Sequence, residues 1–280
     1  MAETPDWHPR RYLASLYSPP SERPVLDTLF GIESEIVASL QGRLDHNVAH
    51  VRLQWWREEC ARVAKGTPAH PLTRALVAEF SDSRADALAG LSGFVDVAVW
   101  DLARATFETR RELTAYCERW ASAMIVPAAS HATAAAKDTS VWVTIGSAMH
   151  EAEMLAQLTS EAHSGRLRVP LDELESAGVV EPESLAVTPH APALAVLLGE
   201  RQAALRSILT DAIQRVEAAD QPVLRGLLVW VALTWRRSLQ AQRALPGSPV
   251  PRRSDALGDA WCAWRAGRRA TAGRFGLDLS

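Results

Sequence analysis

Lysine is almost missing from this chain. Of 30 basic residues only Lys65 and Lys137 are lysines, an imbalance that reads as a compositional bias rather than a functional signal. Cysteine is scarce and odd in number. Cys60, Cys117 and Cys262 lie far apart with no CxxC spacing, which argues against a disulfide framework and fits a reducing compartment; Cys117 reads as a small buried hydrophobe. Long apolar runs are absent too. The longest, Gly226–Trp235, is about half the ~20 residues that a membrane-spanning helix needs. The first residues carry prolines and charges with no apolar h-region, so no secretory signal is expected. A formal net charge of −3 gives no whole-chain case for nucleic acid, and none is expected as a partner. Nucleophilic triads, Gly-rich phosphate loops and dinucleotide fingerprints are also missing. Together these absences predict a cytoplasmic protein, soluble or peripheral on the inner membrane face.

Strand signals are equally rare. Val141–Ile145 is the one β-branched run, and it flows into a helical pattern. Helical patterns fill the rest. One starts near Pro24 and runs to Gly42, and the next covers about 47–66 with Val48, Val51, Trp55 and Cys60 on one stripe. Others cover about 83–105, 110–136 with a kink at Pro127, and 138–165. Thr188 before Pro189 reads as a helix start, as does Pro222, and a last helix spans about Ser254–Ala270 after the proline-rich 246–253 linker. With 48% hydrophobic residues over 280 positions, the chain can bury a substantial core. The expectation is one all-α domain over 1–280, with 1–20 as an N-terminal extension and 245–280 as a basic C-terminal helix and tail.

Three segments in order, the 29–60 stretch containing LQWWRE, AYCERWASAM at 115–124, and the 146–174 stretch ending in GRLRVPLDEL, resemble the squalene/phytoene synthase family. The resemblance spans essentially the whole chain. It implies the isoprenoid-synthase-type fold, a helical bundle around a central cavity. Active members hold magnesium with two aspartate-rich motifs on facing helices, because a departing diphosphate needs hard cations and those cations need carboxylate oxygens. The 31–58 segment is most similar to a branch of bacterial proteins resembling a mitochondrial complex I assembly factor, which keeps the fold without an intact metal motif.

Against that pattern the chain departs. Aligned on Gly146, Ala148, Gly165, Arg166 and Pro170, the second motif's two aspartate positions fall on Gln157 and Glu161. The first motif region, Gly31–Gln41, offers Glu33 and Glu35. These are two residues apart, so on a helix they point about 200° away from each other. Glu35, Gln157 and Glu161 are therefore the motif positions, with Glu35 and Glu161 the residual candidates for a metal ligand. No cofactor is expected; Mg²⁺ enters only if the chain is an active head-to-head prenyltransferase with altered ligands, which is the alternative reading. The leading reading is a synthase-like protein without magnesium chemistry that binds an isoprenoid lipid or assists a membrane-associated complex.

Other candidates stand beside these. Trp55, Tyr116, Trp120 and Arg166 are substrate or cavity candidates, although aromatics at helical spacing also read as plain core. Asp96 and Asp101 diverge by about 140° on a helix, which suits salt bridges better than a shared metal. Asp45, His46 and His50 form an HxxxH pair beside an acid, but no third zinc ligand follows at a diagnostic spacing. From Arg236 to Arg274, nine arginines face only Asp255 and Asp259, a net +7. Arg265, Arg268 and Arg269 with Trp261 and Trp264 could make a basic amphipathic face for anionic lipid or for a protein partner.

Overall fold

The structure, a computed structural model, describes residues 9–40, 46–80, 82–133, 139–179, 185–247 and 253–277. Among them there is no strand, and the helices come in the order α1 (Pro9–Tyr17), α2 (Arg23–Val37), α3 (His46–Ala64), α4 (Pro71–Glu79), α5 (Gly93–Leu102), α6 (Arg110–Ala132), α7 (Ser140–Ala156), α8 (Leu158–His163), α9 (Leu171–Ser176), α10 (Pro192–Gln214), α11 (Arg225–Ala244) and α12 (Arg253–Thr271). Short 3₁₀ segments follow α2 and precede α5. The β-branched 141–145 run is helical, as its flanks predict.

The central pair is α6 and α7, which pack along their lengths. A side chain at Gly146 would bring its Cβ to 2.6 Å from Ala121 Cβ and 2.8 Å from Ile125 Cγ1, so glycine is what lets α7 approach α6 this closely. The two helices contribute Cys117, Trp120, Ala121, Met124, Ile145, Met149 and Ala152 to the core. Helix α10 and helix α11 cover α7, while α1 and α12 cover α11. Residues 9–17, expected to be part of an extension, thus pack as a helix of the bundle. Helix α6 runs unbroken through the buried Pro127.

Several local expectations give way to tertiary packing. The α3 stripe is turned outward: Val48, Val51 and Trp55 are exposed, and Ala49, Leu53, Trp56, Cys60 and Val63 face the core. Both stripes satisfy helical periodicity, and the buried one is the one that meets α2, α4 and α5. Thr188 is not a helix cap. Helix α10 starts at Pro192 with Ala191 before it, and α11 starts at Arg225, three residues beyond Pro222. The 83–105 pattern divides into a 3₁₀ segment and α5. No helix among the described residues is long and apolar enough to cross a membrane.

Candidate functional site

The expected motif positions do not converge. On α2 the residues Leu26, Leu29, Phe30, Ile32 and Ile36 form the buried face, and Glu33 lies on that face at 8% exposure while Glu35 points to solvent. Helix α7 ends at Ala156, and exposed Gln157 sits at the break before α8 rather than inside one continuous helix. Glu161 is half-buried and held: Arg168 donates to its Oε2 from Nη2 at 2.8 Å and from Nε at 3.0 Å, and Arg166 Nη1 lies 3.6 Å away.

What the fold brings together is a chain of side chains through the bundle. Trp120 donates its indole N–H to Glu33 Oε1 at 2.7 Å, and the other oxygen of Glu33 pairs with Arg11 of α1. The Arg11 guanidinium lies over Phe30 and Trp230, 5.2 and 5.6 Å from their ring centroids. Across a face of Trp120, His150 stacks at 4.4 Å and 9°, and Tyr116 stacks on His150 at 5.6 Å. Tyr116 donates to Asp101 Oδ1 at 3.0 Å, and Arg168 donates to the same oxygen at 2.8 Å. Burial, then the charges of Arg168 and Arg11, hold His150 well below the usual histidine range. Burial also pushes the Tyr116 hydroxyl up. His150 Nε2 and Arg166 Nε are buried without a hydrogen-bond partner.

Trp120 and Trp230 are each less than 2% exposed, so at this level side chains occupy the interior. A second ionic group lies nearby. Buried Glu151 accepts from Arg110 Nη1 at 2.6 Å and from Arg201 Nε and Nη2 at 2.6 and 2.8 Å, and Arg110 also grips Glu173. A pocket of about 610 Å³ lies elsewhere, between α9 and the start of α10, lined by Asp172, Glu173, Val196, Leu197 and Glu200 among others.

The remaining sequence candidates scatter. Trp55 is 40% exposed on the outer face of α3, under the Arg62 guanidinium. Tyr116 and Trp120 are interior, and Asp96 pairs with Arg57 at 2.9 Å. Asp45 lies outside the described residues. His46 and His50 are exposed with their Nε2 atoms 3.0 Å apart. Among the described residues no group of three or more His, Cys, Asp or Glu side chains is placed to hold a metal ion.

On α12, Cys262, Ala263, Ala266 and Ala270 are buried, and the opposite face exposes Leu257, Trp261 and Trp264 at 77%, 59% and 40%. Trp261 and Trp264 stack at 4.7 Å, the exposed Arg268 lies over Trp264 at 5.2 Å, and Arg265 and Arg269 flank the stripe half-buried.

Sequence reasoning named Glu33 but carried Glu35 forward in its place, and it passed over His150, Arg168 and Glu151. Glu33 and Glu151 each sit among buried apolar residues of their helix, a polar break in an apolar face that a periodicity count would register. Arg168 had no such signal, because its position in the loop after α8 depends on tertiary contacts.

The crystal structure of a dehydrosqualene synthase in complex with ligand superposes with a TM-score of 0.76 over 92% of this chain and 90% of that one, at 14% identity. That likeness establishes the fold: the helices adopt the isoprenoid-synthase arrangement. No curated protein matches the chain in sequence. The family model for squalene/phytoene synthase matches residues 8–256, and the chain belongs to the squalene/phytoene synthase family.

Proposed function

We propose that this is a synthase-fold protein that does not carry out magnesium-dependent prenyl transfer, of the branch resembling the complex I assembly factor, and that it works at an anionic membrane surface through α12. The observation that carries the first half is the state of Glu161. A magnesium cluster needs several free carboxylates on facing helices. Here the one acidic residue left in the second motif is neutralised by Arg168, Gln157 offers only a neutral amide, and Glu35 faces solvent. This donor set does not fit a magnesium cluster. The Trp120–His150–Trp230 packing further reduces the room for a prenyl chain, which moves lipid contact from the interior to the surface.

The second half rests on α12. Stacked indoles beside arginines suit the boundary between head groups and acyl chains: the rings bury their apolar bodies, and the guanidiniums meet anionic phosphates.

The test is turnover. Purified protein with farnesyl and geranylgeranyl diphosphates, with and without Mg²⁺, is expected to release no pyrophosphate and form no C30 or C40 product. Metal-dependent product that disappears in Glu161→Ala would overturn the reading and make this an active prenyltransferase with altered ligands. In the same preparation, sedimentation with phosphatidylserine vesicles but not with neutral vesicles is expected.

A further inference from the structure

The His46 and His50 pair remains unexplained by the fold or by the proposed function. Of the seven described histidines, the others have local work. His70 caps α4 through Nδ1, His131 pairs with Glu22, His163 bonds the Thr159 carbonyl, His150 stacks on Trp120 and Tyr116, and His190 is buried. His46 and His50 lie one turn apart on the exposed surface of α3, and their Nε2 atoms meet at 3.0 Å with the rings at 84°. No core packing demands this. Each ring would be solvated as well pointing away, yet the two nitrogens are brought together at the surface.

We propose that His46 and His50 form a surface chelate for a divalent transition-metal ion of the tetragonal class, Cu²⁺ or Ni²⁺, with solvent completing the coordination. Imidazole nitrogens suit these ions. The separation selects among them. With metal–nitrogen bonds of about 2.0–2.1 Å, nitrogens 3.0 Å apart subtend about 91–97° at the ion. That is close to the right angle of adjacent positions in a square or octahedral sphere and below the roughly 109° of the tetrahedral geometry that zinc prefers. The i, i+4 placement on α3 fixes the backbone, so binding orders only two exposed rings. In the metal-free protein a shared proton holds the two nitrogens together.

The experiment is calorimetric titration of the full chain with CuCl₂, NiCl₂ and ZnCl₂ in metal-free buffer, together with electron paramagnetic resonance of the copper form. The expected result is one Cu²⁺ per chain with two imidazole nitrogens in its spectrum, the same site taking Ni²⁺, and weaker uptake of Zn²⁺. Binding should weaken at least about tenfold in His46→Ala and in His50→Ala and stay unchanged in His163→Ala, an exposed histidine outside the pair. Both substitutions are on the surface, so metal-free thermal midpoints matching the parent verify that folding is intact. Equal binding by the parent and by the His46→Ala or His50→Ala chain would overturn the proposal, as would a copper spectrum with one imidazole. Neither result depends on whether the protein transfers prenyl groups or binds vesicles.

Discussion

Inside the bundle, Arg110 and Arg201 grip buried Glu151, and Arg168 bridges Asp101 and Glu161. On α12, Arg268 instead lies over exposed Trp264 with Arg265 and Arg269 beside it. The same side chain serves two ends. In the interior its planar fork saturates carboxylates that would otherwise be stranded by burial. On the surface it borders an indole face left open to solvent. The interior pairs are therefore expected to govern stability, and the α12 residues to govern binding.

The largest effect should come from Glu151→Ala. It leaves two partly buried guanidiniums facing one another without their shared partner, and a loss of about 3 kcal/mol is expected in urea unfolding. A loss no greater than that of a surface substitution would break the contrast between the regions.

Glu59 sharpens the contrast with pH. It is fully buried, and although burial raises its pKa, the Thr73 hydroxyl, the His70 amide, Arg62 and the Ala69 amide outweigh that and bring it to about 2 from 4.5. The unfolded chain therefore binds this proton first. The stabilisation is complete above pH 4.5 and fades as pH falls from 4.5 towards 2. Glu59→Gln should cost about 2 kcal/mol at neutral pH and flatten that acid limb, as followed by circular dichroism.

His150 gives an effect that sets in at higher pH. It stays neutral in the fold, whereas the unfolded chain takes up the proton near pH 6.5. Stability should then decline below pH 6.5 by roughly 1 kcal/mol for each pH unit until the folded-state histidine also titrates. His150→Phe keeps a ring between Tyr116 and Trp120 and should remove that slope.

The smallest stability effect belongs to α12. The double variant Trp261→Ala and Arg268→Glu should change unfolding free energy by no more than about 0.5 kcal/mol yet abolish sedimentation with anionic vesicles. A large loss of stability with binding intact would reverse the assignment of the two regions.

Much of the architecture was legible from the chain. Period-3.6 patterns located the long helices, and the ordered LQWWRE, AYCERWASAM and GRLRVP segments pointed to the family. The polar interior was less so. Glu33 and Glu35 are equally acidic in sequence, and only the packing of α2 against its neighbours turns the first inward. On α3, two stripes compete and periodicity alone cannot rank them. Arg168 stands two residues beyond Arg166, the candidate that the motif suggested, and becomes the central cation because the loop after α8 carries it to Asp101 and Glu161. A single sequence encodes such loop-borne convergence without displaying it.

The close approach at Gly146 has a consequence for divergence. The spacing between α6 and α7 is held there by a missing methyl group set against Ala121 and Ile125, 11 and 15 residues before Gln157 and Glu161. The frame is thus locked independently of the residues that would do chemistry at its end. A lineage can exchange those residues one at a time, each intermediate still folding, so that loss of an old activity and gain of a new surface role need never pass through an unfolded ancestor.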